Sequence, residues 1–177
     1  MIQCLAYAKE RVPDAEMYQV DARNLPFKNS FQVAGIFDVI EHIEEDDLVL
    51  KEIYEALEVG GGVFLTVPRY MWLWSPCDDF VRHVRRYEPG ELERKVERAG
   101  FKVVQSTCFV SLLLPLLIFS RIRQHLSPRP YSLMNELRVQ GFVGGILEKA
   151  MDFERFLMRC GLNLPVGGSL LLVAKKC

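Results

Sequence analysis

His83 lies in the run His83-Val84-Arg85-Arg86-Tyr87, where an imidazole beside two guanidiniums is a candidate general base. The other reading of this run is a basic surface segment. Just upstream lie Tyr70, Trp72, Trp74, Asp78, Asp79 and Phe80, a mixture suited to an apolar pocket with a few orienting polar groups. A second segment, Phe37-Asp38-Val39-Ile40-Glu41-His42, puts acids and a histidine directly after the apolar run Val33 to Phe37. It reads either as a ligand-facing loop or as a loop whose acids are solvated. The third candidate is Asp21, which follows Glu16 to Val20. A carboxylate there accepts hydrogen bonds from an amine edge such as that of adenine, or it simply turns the chain. Gly60-Gly61-Gly62 follows a helical pattern and precedes a strand, the reverse of a phosphate loop, so it is read as a turn. No metal-ligand spacing is visible, and no metal is expected.

The elements that must carry these residues alternate. Ile2, Leu5 and Ala6 recur at helical spacing up to Pro13-Asp14, so the chain enters its fold on a helix with no cap before it. Glu16 to Val20 reads as a short strand, and Val33 to Phe37 as a strand buried on both faces. Val49, Leu50, Ile53 and Leu57 mark a helix face, with acids at its N-terminus and Gly60 as its stop. Val63 to Val67 is a strand closed by Pro68. A helix opens at Pro89 as its first-turn proline, with Leu92, Val96 and Ala99 inward and Gly100 as its stop. Phe101 to Cys108 is the next strand. This order implies an α/β layered fold with a mostly parallel sheet. The order then breaks. Phe109 to Gln124 is an apolar helical stretch kinked or started at Pro115, followed by a loop at Ser127-Pro128-Arg129-Pro130. A helix from about Ile146 to Cys160 precedes a last strand, Ser169 to Lys175. The two helices are expected to cap a site at the sheet edge.

Composition narrows the function classes. The chain has 177 residues, is 50% apolar and 25% charged, and carries 22 Lys and Arg against 23 Asp and Glu. That is enough for one folded core, and the near-zero charge provides no field that favours nucleic acid. Five scattered cysteines without a Cys-x-x-Cys fit a reducing, cytoplasmic setting. The most apolar run, Phe109 to Phe119, falls short of the roughly 20 residues of a spanning helix.

Taken in order, these segments resemble the class I S-adenosylmethionine-dependent methyltransferases, in particular their small-molecule, quinone-biosynthesis-like branch. Asp21-Ala22-Arg23-Asn24-Leu25-Pro26-Phe27 is similar to the segment after the family's third strand. Phe31 to Ile43 resembles its fourth strand and the loop after it. Leu57 to Pro68 resembles its helix end, glycine turn and fifth strand, although Glu58-Val59 stands where the family usually has a basic residue and proline. His83 to Tyr87, Glu91-Leu92 and Ala99-Gly100-Phe101 resemble the substrate region and the entry to strand six. The likeness covers residues 1 to 108 and the last strand.

The resemblance implies one domain over 1–177: a partial α/β core at 1–108, a helical insertion or cap at 109–168, and the last strand at 169–177. It implies a partial Rossmann-like methyltransferase fold with an antiparallel last strand, strands 1 and 2 missing, and a remaining sheet in the family's order 4-5-7-6. The cofactor is then S-adenosylmethionine, held by Asp21, Ala22, Phe37, Asp38 and Val39. His83 is the implied base, with His42 as the alternative. Tyr70, Trp72, Trp74, Arg86 and Tyr87 would meet a small-molecule methyl acceptor, one that is apolar or lipid-like. The family's glycine-rich loop after strand 1 is absent, so impaired cofactor binding is expected. Glu16 to Val20 would pair with Val33 to Phe37 or be left at a raw edge open to another chain. Leu112 to Phe119 either packs on the sheet, admits an apolar substrate or touches a membrane surface. The alternatives are a non-catalytic remnant or interaction module of the same fold, and a nicotinamide-dependent dehydrogenase. The dehydrogenase lacks any Tyr-x-x-x-Lys.

Overall fold

Alternating burial builds the sheet. Strand β2 (Leu57–Pro68) buries Val63, Leu65 and Val67, and strand β4 (Ser169–Lys176) buries Leu170, Leu172 and Ala174. All six join one core with helix α2 (Asp46–Ala56), through Val49, Leu50 and Ile53, and helix α4 (Glu91–Arg98), through Leu92 and Val96. Each Val, Leu or Ile among them contributes about 1.5–3 kcal/mol when fully buried. The remaining elements are α1 (Ile2–Arg11), β1 (Phe31–Phe37), α3 (Pro76–Val81), β3 (Phe101–Phe109), α5 (Leu114–Leu126) and α6 (Phe142–Arg159). Short 3-10 turns span Ile40–His42 and Met71–Leu73. The computed structural model describes residues 2–126 and 142–177, so the expected Ser127 to Pro130 loop lies outside the described residues.

The sheet order is β1-β2-β4-β3. β1 is parallel to β2, and β4 is antiparallel to both β2 and β3. Three strands therefore run one way and the last is reversed, as the resemblance implies. Lys176 ties the end of β4 to the start of β2 by donating to the carbonyls of Leu57 and Tyr54, both at 2.8 Å.

Several local expectations are corrected. Glu16 to Val20 forms no strand and joins no ladder, so β1 has only β2 beside it among the described residues. β1 is consequently not buried on both faces: Val33 and Phe37 are each 60% exposed. Gly60 does not stop α2, which ends at Ala56. The strand follows at once and skips from the pair Phe31–Leu57 to the pair Val33–Gly62, with Gly60 at φ +85° inside the bulge. Pro89 lies before the N-cap Gly90 rather than in the first turn of α4. Phe109 belongs to β3, Val110 takes φ +59°, and the helix after it begins only at Leu114, with Pro115 in its first turn.

Candidate functional site

The ends of β1 and β2 bring the predicted chemistry together. After β1, Asp38 takes φ +52°, and its amide donates to Thr66 of β2. This turn sends the chain into Ile40–His42. After β2, the chain passes through Tyr70, also at positive φ, then α3 and the left-handed Arg82, and returns as His83 to Tyr87. The returning segment is fixed at both ends. The Val84 amide donates to the Glu41 carbonyl at 2.8 Å, and the Tyr87 amide to the Pro68 carbonyl at 2.9 Å.

Asp78 orients the two candidate polar groups on that segment. It is buried, receives the Nδ1 of His83 at 2.8 Å, and takes Arg86 in a two-point contact at 2.8 and 2.9 Å. Ser75 donates both its amide and its hydroxyl to the same carboxylate, each at 2.8 Å, which closes a capping box on α3. Burial alone would push the Asp78 carboxyl up. The bonds from Arg86, His83 and Ser75 outweigh it and hold the carboxyl below its ordinary range.

His42 and His83 meet edge to face, with ring centroids 4.6 Å apart. The Nδ1 of His42 is 3.3 Å from the Arg82 carbonyl. Beneath them Glu41 is fully buried, with one oxygen 3.8 Å from His83 Nε2 and neither oxygen in a hydrogen bond. Burial, with the Asp38 charge adding, pushes the Glu41 carboxyl up to about 7.

The other predicted residues divide. Phe37, Asp38 and Val39 are exposed at the open end of β1. Asp21 is also exposed, but Arg23 holds it at 2.9 Å and lowers its pKa through that hydrogen bond, while Ala22 packs against the core. Arg23 also reaches Glu45, at the start of α2. Tyr70 and Trp72 stack with centroids 5.3 Å apart, and Trp74 donates its indole N–H to Asp79 at 3.0 Å. Tyr87 lies fully inside the core, where its hydroxyl donates to Asp46 at 2.8 Å. Burial and that acceptor push the phenol far up, so Tyr87 positions the segment and presents no face to a ligand. A cavity of about 140 Å³ lies between Leu73, Arg86, Val110 and Leu117, small against the several hundred Å³ of ordinary ligand pockets.

Two buried acids carry more of the site than sequence position alone indicates. Asp46, among the acids at the N-terminus of α2, is buried and gathers Tyr87, Lys95 at 2.7 Å and Arg85 at 3.1 Å, which locks the returning segment to α2. Glu41 is the other, buried under the two histidines. Its signal was there: an acid between Ile40 and Ile43, flanked by the apolar residues of a turn.

The profile of a family described as "Methyltransferase domain" matches residues 5–106. The chain belongs to that methyltransferase family. No curated protein matches the sequence. Among solved structures, an S-adenosylmethionine dependent methyltransferase from Mesorhizobium loti shares 14% identity at a TM-score of 0.60, covering 99% of this chain and 77% of that one. A possible histamine N-methyltransferase from Thermotoga maritima shares 16% at 0.56, covering 99% and 70%. The [4+2]-cyclase SpnF shares 20% at 0.53, covering 99% of this chain. At such identities the likeness shows the fold alone, and that fold is the class I methyltransferase fold. This methyltransferase chain spans 60% of the cyclase chain and 36% of a phosphoethanolamine N-methyltransferase 2 from Haemonchus contortus.

Proposed function

We propose that the domain serves methyl transfer from S-adenosylmethionine to a small apolar molecule of the quinone-like class, with His83 taking the acceptor's proton. The observation that carries this reading is the 2.8 Å contact between His83 Nδ1 and the Asp78 carboxylate. Asp78 can only accept, so Nδ1 holds the proton and Nε2 keeps its lone pair for a substrate proton. When bound, the cofactor supplies an electrophilic methyl group on a sulfonium. The residues that would hold it are Phe37, Asp38 and Val39, beside Asp21 and Ala22. They form one wall: the first three are exposed at the end of β1, and Asp21 is engaged by Arg23. This chain alone therefore binds the cofactor weakly. Trp72, exposed and stacked on Tyr70, supplies an aromatic face for the acceptor, whereas the Tyr70 ring is buried between Trp72 and Arg69; Arg86 and Trp74 hold that segment through Asp78 and Asp79.

Titration calorimetry with S-adenosylmethionine is expected to stay unsaturated near ~1 mM; tight binding would overturn the one-wall arrangement. Transfer of labelled methyl to apolar phenols, measured in the presence of chelator, tests the chemistry. His83→Ala should lower turnover about 10²-fold or more with cofactor affinity unchanged. Undiminished turnover would remove His83 as the base.

The open edge of β1 favours a second reading, an interaction module whose sheet another chain completes. That reading expects β1 amides to gain exchange protection from a partner while methyl transfer stays absent.

A further inference from the structure

We infer that Glu41, His42 and His83 form a binding site for one divalent transition-metal ion of the zinc class. One ligand atom from each residue lies within 4.8 Å of the other two. Bonds of about 2.0–2.1 Å in a tetrahedron put neighbouring ligand atoms ~3.4 Å apart. His83 Nε2 and the Glu41 oxygen, at 3.8 Å, are already near that edge length.

A second, independent observation points to a cation. Glu41 has no solvent exposure, and neither of its oxygens has a hydrogen-bond partner. The Arg86 charge acts on it only from a distance, so this buried carboxyl still lacks a directly bound donor or cation that would offset its desolvation. A metal ion bound between it and the imidazoles supplies one.

The outer shell is also in place. Asp78 receives His83 Nδ1 at 2.8 Å and is itself braced by Arg86 and Ser75, and the Arg82 carbonyl lies 3.3 Å from His42 Nδ1. A carbonyl and an ionised carboxylate only accept, so both rings carry their proton on Nδ1 and offer Nε2 as a ligand. Two imidazoles and one carboxylate suit zinc or its neighbours better than magnesium or calcium, which prefer an all-oxygen shell. His42 is exposed, which leaves one side for a water or an acceptor oxygen. With the ion bound, the imidazoles are ligands and the metal acidifies that oxygen; in metal-free protein His83 remains the base. The absence of a local spacing motif follows from topology. Glu41 and His42 end the β1 turn, and His83 returns only after β2 and α3.

The site rests on geometry and not on methyl transfer, so the test reads metal alone. Chelator-treated protein carrying Cys4→Ser, Cys77→Ser, Cys160→Ser and Cys177→Ser, which removes competing thiols, is titrated with Co²⁺ and then Zn²⁺. The readouts are the visible absorption of Co²⁺ and calorimetry. The expected result is saturation at one equivalent, displacement of Co²⁺ by Zn²⁺, and at least about tenfold weaker binding in Glu41→Gln and His83→Ala. His42→Ala, at an exposed position that tolerates truncation, should show the same loss in a protein whose circular dichroism is unchanged. Asp78→Asn should weaken binding about tenfold through the outer shell. Saturable binding that survives in both Glu41→Gln and His42→Ala would overturn the site. So would no uptake of either ion, which would leave Glu41 holding a proton instead.

Discussion

Removing the Asp78 carboxylate would leave the Arg86 guanidinium and the His83 ring side by side with no acceptor between them. Breaking a buried, hydrogen-bonded pair this way costs about 3 kcal/mol, so Asp78→Ala should lower the unfolding free energy by that amount in denaturant titrations. Because the folded state depresses the Asp78 pKa, its contribution is present above the ordinary carboxylate range near 3.8 and lost as pH falls through the folded value. Glu41 has the opposite sign. Its carboxyl moves from 4.5 to about 7, so the folded state holds a proton the unfolded chain has released. Metal-free protein should lose stability as pH rises from about 4.5 to 7, by up to ~3 kcal/mol. Glu41→Gln should flatten that slope in denaturation series at several pH values; an equal slope in the variant would remove Glu41 as its source. His83 was legible as a base candidate from its neighbours in sequence. The roles of Asp78 and Asp46 were not, because they come from partners that the fold brings in.

At the scale of elements, α6 is tied to the chain entering α5 by one side chain. Glu154 is fully buried and accepts the amides of Ser111 and Leu112 at 2.8 and 2.9 Å. Glu154→Ala would orphan both amides and is expected to cost about 1–3 kcal/mol. Hydrogen exchange should then rise in α5 and α6 before it rises in the sheet. Leu116, Phe119 and Ile122 remain exposed along α5, with Arg123 beside them. Such a stripe suits an apolar acceptor or an anionic membrane surface, and no described helix is long and apolar enough to cross a membrane. Co-sedimentation with anionic vesicles should drop in Leu116→Ser with Phe119→Ser; undiminished binding would remove the stripe as a contact. Periodicity revealed α2 and α4 because each buries one face in the core. On α6 the apolar side leaves Ile146 and Phe153 about half exposed. Periodicity failed at Glu16 to Val20 and at Gly60, where a strand-like run has no ladder partner and a bulge stands in place of a helix stop.

For the molecule as a whole, the decisive surface is the free side of β1. β2 and β4 each lie between two strands, whereas β1 has β2 alone among the described residues and leaves Phe31, Val33 and Phe37 exposed. Unpaired backbone groups flanked by apolar side chains form a template for another strand, and native sheets blunt such edges with charge or proline. Here the strand Phe31–Phe37 carries neither. The chain should therefore self-associate through β1 with a strong dependence on protein concentration. Val33→Lys, at an exposed position outside the core, should suppress that association by adding one charge while leaving thermal stability within about 0.5 kcal/mol. Light scattering over a concentration series reads the first effect and denaturation the second. If the lysine variant associates as its parent does, the free side of β1 is not the contact.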